Sequence, residues 1–285
     1  MHQLHAQLVN GIDAIKKLYH KENRFFGIPT GFIDFDHMTS GLQPGNLIIV
    51  ASPPSMGKTT LALNMAQNIA IDQERPVAIF SLEMPAQDIV MRMLSAESRI
   101  DFGRLRTGNF SEDYWRPLTE ASSRLADALI LINDNPGLTV QSLHTEGLRL
   151  KDKHDDLALV VVDYLQMLRV DSKYNTREED LSEISCVLKN LAWELKVPVI
   201  ACSQLSREVE RRPDKQPQLS DLRGSGAIGE AADLVVFLYR EDYYEEEDAG
   251  ERVEAYLMIK KQRNGPTGTV VLYFTKKQMR FENPN

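Results

Sequence analysis

Two hundred and eighty-five residues, 42% of them hydrophobic, suffice for one large domain or two small ones with a real core. A formal net charge of -8 argues against a broad nucleic-acid-coating surface, although a few cations in a channel can bind phosphate inside an acidic whole, so local placement decides. No apolar run approaches the ~20 residues of a membrane span, the N-terminus lacks a signal-peptide core, and Cys186 and Cys202 sit in apolar contexts as buried free thiols, which together indicate the cytosol.

In chain order, Leu4, Leu8, Ile12, Ile15 and Leu18 fall at helical spacing, so residues 1–20 predict an amphipathic helix. With the polar stretch that follows it makes a linker unit, 1–24, ahead of a main domain, 25–285. Such a helix either packs on its own core or docks on a neighbour. From 47 onward strands alternate with helices. Strands are expected at 47–51, 77–80, 129–132, 157–162, 199–202 and 234–238, and helices at 58–71, 86–100, 140–153 and 178–195. Wholly apolar strands between helices imply an α/β fold with a largely parallel sheet covered on both faces.

The first strand runs into Ser52-Pro-Pro-Ser-Met-Gly-Lys-Thr-Thr60 and then a helix, the strand–loop–helix setting of a Walker A phosphate loop. Backbone N–H groups of Ser55, Met56, Gly57 and Lys58 and the helix start at Thr59 and Thr60 present positive charge to phosphate. Gly57 permits close approach, Lys58 reaches the β- and γ-phosphates of ATP, and the Thr59 hydroxyl ligates Mg²⁺. Ser52 stands where the motif usually has its first glycine, and two prolines follow, tightening the loop by fixing φ.

Two carboxylates close strands, where an open α/β sheet places its functional groups. Asp163 follows 159–162 in the manner of a Walker B aspartate that orders Mg²⁺, or else is a helix cap or a solvated strand terminus. Glu83 follows 78–82 and can orient water against a γ-phosphate, or else caps the helix after Pro85. Gln204 ends 199–203 and can sense the γ-phosphate by hydrogen bond. Beyond it a long polar loop carries Arg207, Arg211, Arg212, Lys215 and Arg223 before Gly224-Ser225-Gly226. This loop either grips a phosphodiester backbone or is plain disordered surface. Finally, Asn264-Gly265 between 256–259 and 270–274 signals a hairpin whose approach holds Lys260, Lys261 and Arg263. Lys261 and Arg263, two apart, project from one strand face.

Taken together, these stretches resemble the C-terminal motor domain of DnaB-type replicative DNA helicases. The carriers are Pro29-Thr30-Gly31 with Gly41-Leu42, Pro54 to Thr59, Ser81-Leu82-Glu83-Met84, Val162 to Gln166, Ser203 to Arg207, Leu219 to Gly226 and Lys261 to Gly268, in family order. The resemblance implies a RecA-like ATPase forming a hexameric ring that translocates on single-stranded DNA, using ATP and Mg²⁺ at subunit interfaces. It implies that Glu83 is the catalytic base, Asp163 the Walker B acid and Gln204 the γ-phosphate contact. Lys261 and Arg263 would be cations projected into the neighbouring subunit's site, and Arg223, Gly226 and Arg207 DNA contacts. Arg92 matches a family arginine near the nucleotide. A helicase loader and primase are implied partners, in the bacterial cytosol or from a phage or plasmid acting there. Gly224 and Gly229-Glu230 depart from the family's channel loop and loosen it. Residues 1–20 match the family's linker helix, which docks on the adjacent subunit; no stretch matches its N-terminal helical domain, as in a fragment or a natural short form. A RecA-like assembly or recombinase-type module would share the phosphate loop and Asp163 but not the remaining motifs.

Overall fold

The structure, a computed structural model, describes residues 4–19, 25–171, 176–222, 226–244 and 250–284. Its strands are β1 (Leu47–Ser52), β2 (Val77–Ser81), β3 (Ile130–Asn133), β4 (Leu159–Asp163), β5 (Val199–Gln204), β6 (Leu234–Tyr239), β7 (Arg252–Gln262), β8 (Gly268–Thr275) and β9 (Arg280–Glu282). They form one sheet in the order β3-β2-β4-β5-β1-β6-β7-β8-β9. The first six in that order run parallel, and β7, β8 and β9 join antiparallel.

Helices cover both faces, which is why the parallel strands are apolar throughout. Along β4, Val161 enters one core while Val160 and Val162 enter the other. Each such side chain contributes about 1.5–3 kcal/mol by leaving water. Helices α2 (Ile33–Thr39), α3 (Lys58–Asp72) and α4 (Ala86–Ser98) lie on the first face; α7 (Val140–Lys153) and α8 (Arg177–Leu195) lie on the second. The Pro29-Thr30-Gly31 turn is held by Asp36, whose carboxylate accepts the N–H groups of Thr30 and Gly31 and the Thr30 hydroxyl. Asn68 of α3 donates to the Thr30 carbonyl at 2.9 Å, so this N-terminal turn is pinned to the helix that carries the phosphate loop.

α1 (Leu4–Tyr19) forms as its spacing predicts. Its stripe does not enter the core of the described chain: Leu4, Leu8, Ile12 and Ile15 are 74%, 54%, 51% and 62% exposed. Two helices between 101 and 128 have no counterpart in the sequence reading, α5 (Phe102–Thr107) and α6 (Trp115–Asp127). Only Leu105 and Ala121 are buried in them, so the apolar period is faint, and Pro117 sits in the first turn, where a missing N–H costs nothing. Cys202 is buried as expected, but Cys186 on α8 is exposed. Among the described residues no helix is long and apolar enough to cross a membrane.

Candidate active site

The carboxyl ends of the parallel strands gather the predicted groups. After β1 the chain makes the phosphate loop, with Ser55 and Gly57 left-handed at φ 63° and 100°, and α3 begins at Lys58. Gly57 has a second reason to lack a side chain: a Cβ there would stand 3.2 Å from the Phe281 ring. Ser52, in place of a glycine, is wholly buried and its hydroxyl donates to the Pro53 carbonyl at 2.8 Å. Met56 offers only backbone to a ligand, because its side chain is buried in the core, and Thr60 is buried too. Lys58 Nζ lies 5.1 Å from the centre of the Tyr164 ring.

The Thr59 hydroxyl donates to Asp163 Oδ2 at 2.7 Å, which brings the two predicted metal ligands together. Asp163 is 3% exposed, and its Oδ1 has no hydrogen-bond partner. A buried, unpartnered carboxylate oxygen beside a threonine hydroxyl is an oxygen donor set suited to Mg²⁺ and its water shell. The site therefore fits a magnesium nucleotide. Beneath it, burial, and next the charge of Asp163, push the Cys202 thiol well up, so it serves as an inert apolar floor.

Glu83 stands exposed two residues beyond β2, beside the Asp163 strand end, since Leu82 N–H donates to the Asp163 carbonyl at 2.8 Å. The Ser81 hydroxyl donates to the Met84 carbonyl at 2.7 Å and closes the turn between them. Helix capping, the other reading of Glu83, is not what the chain has. Asp134 accepts the Ala86 N–H at 2.8 Å and fills that place. Gln204 pairs across the sheet with Ser52, where the phosphate loop begins. A residue without an assigned role, Gln166, brackets it: its amide donates to the Gln204 carbonyl at 3.1 Å and accepts the Gln204 N–H at 3.3 Å. Arg92 lies against the Phe102 ring, 5.7 Å from its centre.

The hairpin cations lie at the opposite, amino-terminal end of the parallel strands, where Lys261 pairs with Val235 near the start of β6. Lys261 Nζ donates to the carbonyls of Gly229 and Glu230 at 2.6 and 3.1 Å, and Arg263 Nη2 to the Glu230 carbonyl at 2.9 Å, so both project to one side. Burial, and next the charge of Arg263, push the Lys261 ammonium below the ordinary lysine value. Arg263 N–H donates to the Asp233 carbonyl, and Asp233 N–H to the Leu47 carbonyl, both at 2.9 Å. Leu47 opens β1 whereas the phosphate loop follows its last residue. Six residues of strand place the two ends ~16 Å apart, beyond the reach of an arginine side chain. The tip therefore cannot serve its own phosphate loop.

The loop after Gln204 is folded where described. Ser206 N–H donates to the Asp221 carbonyl at 2.8 Å, Arg212 pairs with Asp221, and Val209 is buried. Disordered surface does not describe 205–222. Arg223 lies outside the described residues, as does the Arg207 side chain, and Gly226 is the exposed first residue of α9 (Gly226–Ala231).

A sequence profile of the DnaB-like helicase C-terminal domain matches residues 27–283. A replicative DNA helicase of Bacillus subtilis, DnaC, is 48% identical over 97% of the chain and 61% of its own length. The fold superposes on a solved ATPase domain with TM-score 0.92 at 36% identity, covering all of both chains. A DnaB-like replicative helicase, solved in a study of its interactions with primase, gives 0.89 at 36% identity over 96% of this chain and 67% of that one. The chain thus spans about three-fifths of the curated relative it matches.

Proposed function

The chain belongs to the DnaB-like helicase C-terminal domain family, and on that premise we propose that it is the ATP-driven motor of a ring-forming replicative DNA helicase that moves on single-stranded DNA in the bacterial cytosol. The observation that carries this reading is the separation of the two half-sites. Phosphate loop, Glu83 and Asp163 lie at one end of the parallel strands and Lys261 with Arg263 at the other, so a complete site needs two copies arranged head to tail. Repeated, a head-to-tail contact gives a ring where its rotation closes and a filament where it does not; the proposed assembly is a closed ring of six copies.

In this mechanism Lys58 and the loop N–H groups hold the β- and γ-phosphates, and Thr59 with Asp163 holds the metal. Bound magnesium supplies charge neutralisation on the phosphate oxygens. Glu83 takes a proton from the attacking water, while Lys261 and Arg263 of the adjacent copy face the γ-phosphate. Gln204 contacts the γ-phosphate and leads directly into the folded loop 205–222, which ends at the DNA-binding candidates Arg223 and Gly226; Arg207 lies near its start. That continuity is a covalent route from nucleotide state to DNA grip. A loader and primase are proposed partners of the whole protein.

Unwinding of a forked duplex, dependent on ATP and abolished in Lys58→Ala, is the expected result. ATPase activity with filament formation and no strand displacement would instead assign the chain to an assembly module. The exposed stripe of α1 suits docking on the neighbouring copy. Replacing Leu8 and Ile12 by Asp should leave the melting temperature within a few degrees, because surface changes cost little, yet weaken self-association more than tenfold by sedimentation. Undiminished assembly would remove α1 from the interface.

A further inference from the structure

The phosphate loop is gripped from behind by a buried arginine that none of the roles above uses. Arg240 follows β6 directly and is 5% exposed. Its Nε and Nη2 donate to the two oxygens of Asp242 at 3.0 and 2.7 Å, a planar fork that leaves Nη1 free to donate to the Met56 carbonyl at 3.3 Å. The Phe274 ring lies under the guanidinium, 4.6 Å from ring centre to carbon. Phe281 stacks on Phe274 with centres 4.4 Å apart and presses against Gly57. Lys276 adds a second cation on Asp242 Oδ2 at 2.8 Å. Burial alone would raise the Asp242 carboxyl, and the bonds from Arg240 and Lys276 outweigh it and keep the group below its ordinary value.

We propose that Arg240 is a positioning residue of the phosphate loop: by holding the Met56 carbonyl away from the ligand, it turns the Gly57 N–H towards the phosphates. The two groups share one planar peptide unit in which C=O and N–H point in opposite directions, so fixing one aims the other. A buried ion pair is by itself weak evidence for stability, since well-packed apolar residues serve as well or better. What the pair adds here is a donor directed at the loop. The inference rests on the reading of residues 52–60 as a phosphate site.

Calorimetric titration of magnesium-ADP and steady-state ATPase kinetics test it, on the full chain. Arg240→Met keeps the packing on Phe274 but has no donor. It should weaken ADP binding about tenfold to a hundredfold, the range for a lost hydrogen bond to a charged group, and raise the KM for ATP similarly. kcat should move far less than KM, because the Gly57 N–H contacts phosphate equally in ground and transition states. Arg240→Lys keeps the charge and the pairing with Asp242, yet one ammonium cannot also span to Met56. It should recover the melting temperature but not the ADP affinity, and it carries the test if Arg240→Met does not fold. Unchanged ADP affinity in a folded variant, or a lysine variant that restores stability and affinity together, overturns the proposal. Lys58→Ala separates the two levels. If wild type and Lys58→Ala bind ADP alike, the phosphate-site reading itself falls, whereas loss in Lys58→Ala alone overturns only the role of Arg240.

Discussion

Glu83→Gln will bind magnesium-ADP as wild type does and hydrolyse ATP about 10²–10⁴ times more slowly, the loss typical of a removed general base. The large effect is confined to chemistry because Glu83 has no structural duty to lose. It is exposed, the turn that holds it is closed by Ser81, and α4 is capped by Asp134. A near-isosteric change at such a position alters stability by about 0.5 kcal/mol or less. The predicted barrier increase is roughly 3–5 kcal/mol at 1.36 kcal/mol per decade. Single-turnover hydrolysis, ADP titration and a melting curve on the same preparation separate these effects. Turnover within a few fold of wild type would strike Glu83 from the mechanism and direct attention to another water-orienting group at the strand ends.

The sequence displays those groups readily because a parallel sheet makes strands conspicuous. Four to six apolar residues in a row, flanked by helices, can only be buried on both faces, and whatever polar residue ends the run lies at the functional end. Asp163, Gln204 and the phosphate loop are legible for that reason. Arg240 ends β6 in the same way and escapes notice, since Arg240-Glu241-Asp242 before an acidic stretch reads as solvated turn; only the ring of Phe274, reached through the antiparallel ribbon, shows it to be buried. Non-local pairings of this kind leave no periodic trace. Asp233 is hidden likewise. It accepts the Leu47 N–H, pairs with Lys189 at 2.6 Å and with Arg263 at 3.3 Å, joining three elements that are distant in sequence. The hairpin itself is announced by Asn264-Gly265, but β7 extends from Arg252, well before the apolar stretch that marks it, because Val253 and Ala255 face the core while Arg252 and Glu254 face water. That length is what carries the ribbon from one end of the parallel strands to the other. At one end Phe274 and Phe281 back the chain's own phosphate loop, and at the other Lys261 lies half-buried against the Gly229 and Glu230 carbonyls with Arg263 exposed beside it.

Two inactive variants should therefore restore each other. Arg263→Ala removes the outward cation and leaves its own phosphate loop intact; Lys58→Ala disables its own loop and keeps Arg263. Alone, Arg263→Ala is expected to lose about 10³–10⁵ in turnover, the range for an arginine supplied from a neighbour to phosphoryl transfer, and Lys58→Ala, stripped of its phosphate contact, is expected to be inactive. Neither loss is one of folding. The Arg263 side chain is 48% exposed, and the buried Asp233 carboxylate keeps Lys189 and the Leu47 N–H as partners without it. In mixed assemblies, wherever a Lys58→Ala copy presents its arginine to an Arg263→Ala copy, a complete site forms, at about a quarter of head-to-tail contacts in an equal mixture. ATPase activity of the mixture, measured after co-assembly, should rise to a similar fraction of wild type, while the unmixed variants stay silent. If both half-sites belonged to one chain, every copy in the mixture would still lack one of them and mixing would restore nothing. A silent mixture of proteins shown to co-assemble would therefore place Arg263 outside the hydrolytic step altogether, because the ~16 Å of β1 between the two ends denies it the phosphate loop of its own chain.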